Sequence, residues 1–83
     1  MTLDSLRKRI DALDHEILAK MAERLALCKE TVQWKEDVED TDRESALREL
    51  WAKEAQSLGL SASFAMTLLE ALLAESKRLQ RHK

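Results

Sequence analysis

Leu3, Leu6, Ile10, Leu13, Ile17, Met21, Leu25, Cys28 and Val32 follow one another at steps of three and four, and no Pro or Gly interrupts them. That is the periodicity of a single amphipathic helix, and it predicts one from the start of the chain to about Trp34 or Lys35. Asp4 lies near its start, where a negative charge favours the helix dipole. At ~1.5 Å per residue the helix is about 50 Å long. A compact domain of this size has a radius of gyration of only about 12 Å and spans ~30 Å. The helix therefore overhangs its own domain, and a second copy of the same helix is the economical way to cover the overhang.

The rest of the chain reads as two shorter helices. Thr41 followed by Glu44 has the form of a capping box that opens the second, after an acidic connector from Glu36 to Asp42. Leu47, Leu50, Trp51, Ala55 and Leu58 form its apolar stripe. Gly59 stands where a left-handed C-terminal cap belongs, with Leu60 placed for the accompanying contact. Ser61 is the next N-cap candidate, and Phe64, Leu68, Leu69, Leu72, Leu73 and Leu79 line the third helix. With no Pro and one Gly there is little material for hairpins. The expected fold is all-α, three helices per protomer, in one domain over residues 1–83.

Charge and cysteine content exclude several functions. A formal net charge of −2 gives no general attraction to nucleic acid or to anionic lipid. One cysteine, Cys28, rules out an internal disulfide framework and suits a reducing compartment. No run approaches the ~20 apolar residues of a membrane span, and Met1 is followed by a charged stretch, not an apolar signal core. The expectation is a soluble, cytoplasmic protein.

The functional signal lies in polar residues where the pattern asks for apolar ones. Stepping by seven from Ile10 through Ile17 reaches Arg24, and from Met21 through Cys28 reaches Lys35. The two cations return to within about 20° of one face of the helix. In the third helix the stripe of Leu69 and Leu73 continues into Ser76 and Gln80, one turn apart. Any one of these has a bland explanation, such as a cross-bundle ion pair for Arg24 or a frayed helix end for Lys35. Buried cations and amides are costly without partners, so all four on inward faces suggest a polar cavity for a small dianion. Arg7 lies about 260° around the helix from Arg24 and cannot share its cavity, but in an intertwined dimer it reaches the partner's.

These residues resemble a known family. Leu6-Arg7-Lys8-Arg9-Ile10-Asp11-Ala12-Leu13-Asp14, Ala22-Glu23-Arg24, Lys35, Asp42-Arg43-Glu44, and Ser76 with Gln80 are similar, in order and spacing, to the all-helical chorismate mutases of the AroQ class. The resemblance covers nearly the whole chain. It implies an intertwined homodimer with two active sites that converts chorismate to prephenate, on the way to phenylalanine and tyrosine, without cofactor or metal. It further implies that Arg24 binds a substrate carboxylate and that Arg7 is donated across the interface to a carboxylate. Lys35 and Gln80 resemble the pair that contacts the ether oxygen, Glu44 the acceptor for the ring hydroxyl, and Ser76 a carboxylate donor. Arg43 and Asp40 resemble supporting residues at the connector. Between Lys35 and Asp42 the chain is a few residues shorter than is usual in the family, and the gap is filled with acidic residues.

The residue types suit that chemistry. A [3,3] rearrangement needs no nucleophile, acid or base, only a clamp on a flexible side chain and donors for charge building on the ether oxygen. His15 and His82 lack metal-ligand spacing and read as solvated. Cys28 reads as a small buried hydrophobe, Trp34 and Trp51 as packing residues, and Lys77, Arg78, Arg81, His82 and Lys83 as a solvated basic helix end. Rival readings are an isochorismate–pyruvate lyase or an aminodeoxychorismate mutase on the same scaffold, or a non-catalytic helical dimerisation module. The last would not require Arg24, Lys35 and Gln80 as a set.

Overall fold

In a computed structural model, residues 2–34 and 40–81 are described. Among them are three α-helices, α1 Leu3–Glu30, α2 Thr41–Ser57 and α3 Ala62–Arg81, with a 3-10 turn at Thr31–Trp34 and no strand. The expected all-α architecture of one long and two shorter helices is the one observed. No helix is long and apolar enough to cross a membrane among the described residues.

Each helix begins at a side-chain cap. Thr2 caps α1: its hydroxyl accepts from the Ser5 amide at 3.1 Å, and Ser5 Oγ accepts from the Thr2 amide at 3.1 Å. That reciprocal box has Ser where Glu is usual. The cap of α2 is Asp40, not Thr41, because its carboxylate accepts from the Arg43 amide at 3.1 Å while its carbonyl takes the Glu44 amide at 2.9 Å. Asp outranks Thr at this position, and the shift of one residue frees the Glu44 side chain from any capping duty. Ser61 caps α3 as expected, accepting from the Phe64 amide at 3.1 Å.

Between α2 and α3 the chain reverses at Gly59, whose φ of 76° only glycine adopts without strain. The Leu60 amide reaches the Ala55 carbonyl at 2.8 Å and the Gly59 amide the Gln56 carbonyl at 3.2 Å, a Schellman closure. The left-handed glycine cap is thus where the sequence placed it.

Helix α1 ends earlier than its apolar spacing predicts, tightening into the 3-10 turn after Glu30. Thr31 Oγ1 donates to the Cys28 carbonyl at 2.6 Å, and the Gln80 amide of α3 donates to the same oxygen at 2.6 Å. Two side chains compete for an acceptor of the α ladder, next to the β-branched pair Thr31 and Val32.

The core lies between α2 and α3. Leu69 is fully buried at 0% exposure, with Leu47 and Leu73 against it and Trp51 and Met66 packed around them. Replacing Leu69 with Ala should cost about 2–5 kcal/mol, read as a shift in urea midpoint at fixed protein concentration. Across the surface of this pair Arg48 grips Glu70 with two bonds of 2.7 and 3.4 Å. That hydrogen bond holds the Glu70 carboxyl below its ordinary range and pushes the Arg48 guanidinium up.

Helix α1 has no buried residue in the single chain. Leu3, Leu6, Ile10, Leu13 and Ile17 all stand open to solvent. The molecule measures 52 × 27 × 15 Å with a radius of gyration of 15.5 Å, well above the ~12 Å of a compact chain this long. The overhang read from the spacing is real. Several residues assigned to buried stripes are also exposed: Leu50, Phe64 and Leu68, Leu58 at 73%, and Trp34 at 86%, the last against its reading as a packing residue. An apolar stripe marks what a helix can bury, and one chain of this size has too few neighbours to bury it all.

Candidate functional site

Where the C-terminal part of α1 meets α2 and α3, a cavity of about 330 Å³ opens, at the small end of the ~300–1,000 Å³ typical of ligand pockets. Arg24 comes to it from α1, Asp40, Arg43 and Glu44 from the start of α2, and Ser76 and Gln80 from α3. Its apolar floor is Leu47 and Leu73. Six of the eight residues singled out in the sequence are thus brought together. Lys35 lies outside the described residues. Arg7 is exposed on α1 and does not line this cavity, as its angle from Arg24 requires.

Arg24 is half-buried, and no carboxylate pairs with it among the described residues. Its guanidinium instead lies over the Trp51 ring, 5.9 Å from the centroid, and Nη1 reaches Cys28 Sγ at 3.7 Å. Trp51 therefore packs against the core and also meets a cation. Among the described residues there is no cross-bundle ion pair that would explain Arg24 blandly. Cys28, expected to be buried, is half-buried at the cavity edge.

On α3, Ser76 is buried at 6% exposure, and its Oγ has no hydrogen-bond partner among the described residues. A buried hydroxyl left unsatisfied costs about 1–3 kcal/mol, so its position in a cavity wall points to a ligand acceptor. Gln80 is also buried, and its Nε2 donates to the Cys28 carbonyl at 2.6 Å and to Thr31 Oγ1 at 3.3 Å. The amide thus ties α3 to the end of α1 at the cavity edge, with both of its N–H groups engaged.

Glu44, at the start of α2, is buried in the cavity lining. Lys77 Nζ lies 3.2 and 3.1 Å from its two carboxylate oxygens, and Arg48 Nη2 lies 3.6 Å away. Lys77 was read as part of a solvated basic end, and this is a correction: its side chain is 21% exposed and lines the cavity. Position 77 is one turn after Leu73, so it shares the inward side of α3, but it also sits in a run of cations that masks the signal. Arg78, its neighbour, does face outward and pairs with Glu75 at 2.6 and 2.9 Å, which holds the Glu75 carboxyl below its ordinary range.

Asp40 faces the cavity while its carboxylate is engaged by the Arg43 amide, so its structural duty is the cap of α2. Arg43 lies at the exposed rim.

Fold and cavity together define an all-helical protein with a cation-bearing pocket at a three-helix junction. The family model described as chorismate mutase type II matches residues 6–81. The chain belongs to that family, the AroQ class that its motifs resemble. No match emerges among curated proteins or among solved structures.

Proposed function

We propose that this protein is a chorismate mutase that rearranges chorismate to prephenate, in the route to phenylalanine and tyrosine, as a cytoplasmic intertwined homodimer. The observation that carries the reading is one cavity lined both by Arg24, which pairs with no carboxylate among the described residues, and by the buried Ser76 hydroxyl, which has no hydrogen-bond partner among them. A dianionic substrate supplies what both lack. Arg24 clamps one carboxylate and Ser76 donates to a carboxylate, with Arg43 at the rim. The partner's Arg7 takes a carboxylate from across the interface, and the exposed apolar face of α1 supports such pairing. Held this way, the enolpyruvyl group is kept over the ring in the chair-like conformation the rearrangement needs.

As the C–O bond breaks, negative charge builds on the ether oxygen. Lys35 and Gln80 stabilise it, and one such preorganised donor is worth roughly 3–4 kcal/mol. Gln80 exchanges its longer bond, to Thr31 Oγ1, for the substrate and keeps its shorter one to Cys28. Glu44 accepts from the ring hydroxyl, and Asp40 holds the first turn of α2 so that Glu44 and Arg43 face the cavity.

Loss of chorismate absorbance with purified protein tests the reading. Appearance of prephenate supports it; pyruvate release identifies a lyase, and no consumption leaves a dimerisation module. Two variants sharpen it. Gln80→Glu places a carboxyl 2.6 Å from the Cys28 carbonyl oxygen, where only the protonated acid can donate. Activity should therefore be present below the pKa of the new carboxyl and lost as pH rises through it, and a flat pH profile would remove Gln80 from the breaking bond. Ser76→Ala should leave the free protein as stable or more so, since it deletes an unsatisfied hydroxyl. Its kcat/KM should still fall by about 10- to 100-fold, the worth of one hydrogen bond to a charged group.

A further inference from the structure

Lys77 does not belong to the residues that the family motifs mark, yet it is built into the cavity. Its ammonium straddles both oxygens of Glu44, at 3.1 and 3.2 Å, and the two side chains are 21% and 11% exposed. The other cation near Glu44, Arg48, stands at 3.6 Å and has its closer contact with Glu70 at 2.7 Å. Lys77 is thus the principal answer to the Glu44 charge among the described residues.

The balance of charge around the cavity gives this pair a consequence. Its described lining carries three cations, Arg24, Arg43 and Lys77, against two carboxylates, Asp40 and Glu44. Without Lys77 the count is two against two. Among the described residues, a shared and more distant guanidinium would then be left to offset Glu44 as it faces a dianion at close range, in a site too sheltered for water to screen the repulsion fully.

We propose that Lys77 is a positioning residue for Glu44 that sets the affinity of the cavity for its dianionic ligand. It acts by fixing the carboxylate between α2 and α3 and cancelling its charge. The inference rests on the proposed function. Because the ligand is a dianion before and during the rearrangement, the repulsion unmasked by losing Lys77 acts on ground state and transition state alike. KM therefore rises while kcat changes little. A pair that served only to join α2 to α3 would do the reverse, lowering thermal stability and leaving the KM of the folded fraction alone.

The test measures KM and kcat for chorismate, with melting temperature, in wild type, Lys77→Met, Lys77→Gln and Lys77→Arg, with the wild type and the two neutral variants each also combined with Glu44→Gln. Lys77→Met and Lys77→Gln should each raise KM about tenfold with kcat within about threefold, and Lys77→Arg should restore most of the loss. In the Glu44→Gln background the same substitutions should barely move KM, because the carboxylate they unmask is gone. A KM within twofold of wild type in whichever neutral variant folds would overturn the inference. So would an undiminished KM rise in the Glu44→Gln background, which would make Lys77 a direct ligand contact. An inactive wild-type protein overturns the proposed function and this inference with it, whereas active wild type with unchanged variant KM overturns this inference alone.

Discussion

Lys35→Ala should leave the melting temperature nearly unchanged and lower kcat at least ~100-fold, the range seen when one preorganised donor is removed from a developing oxyanion. The opposing expectation, which follows from the acidic residues beside it, is that Lys35 serves only to pair with Asp37, Glu39 or Asp40. As an exposed ion pair it would contribute at most ~1 kcal/mol to stability and nothing to turnover. The two accounts separate because the proposed contact forms mainly in the transition state, so its loss appears in kcat and less in KM. Lys35→Arg should rescue poorly, since a planar guanidinium does not put its donors where the ammonium was. Turnover and melting temperature measured together on both variants decide it. A stable Lys35→Ala protein with near wild-type kcat would end the proposed charge stabilisation.

The second large effect concerns assembly. Arg7→Ala and Arg24→Ala should each abolish most activity, by about 100-fold or more if each removes a carboxylate clamp. Mixed in equal amounts after exchange of subunits, the two inactive proteins should recover about one quarter of wild-type activity. Half of the dimers are then mixed, and each mixed dimer has one site with both arginines and one with neither. No recovery arises if each chain holds a complete site. The geometry behind the experiment is that Arg24 lines the cavity of its own chain and Arg7 does not, while the α1 that carries both has no buried residue. A fully active monomer in sedimentation would sink the shared-site reading without any mutation.

Much of the fold was legible because helices announce themselves locally. Residues three and four apart meet on one face, so the spacing from Leu3 to Val32 specified α1 and its overhang before any contact was known. Gly59 and Ser61 were readable for the same reason, since caps are satisfied by neighbours in the chain. The site was legible where polar residues broke an apolar stripe. Arg24, Ser76 and Gln80 each interrupt a run that packing would otherwise fill, and the structure gathers all three at one cavity.

What the chain by itself determined, then, is the set of helices, their caps and the faces they can bury. The tertiary structure decided which potential contacts were realised. Leu47 is buried and Leu58 exposed although the spacing puts both in one stripe, because α2 ends at Ser57 and Leu58 falls in the reversal beyond it, while Ala55 in the last turn stays buried. At the end of α1 the Cys28 carbonyl is shared between Thr31, three residues on, and Gln80, 52 residues away in sequence. Lys77 turned inward because Glu44, buried on another helix, needed a counter-charge, while the adjacent Arg78 found Glu75 on its own surface. Periodicity is blind to such choices. A charge is drawn by its nearest opposite charge in space, and for Lys77 that neighbour lies 33 residues back along the chain.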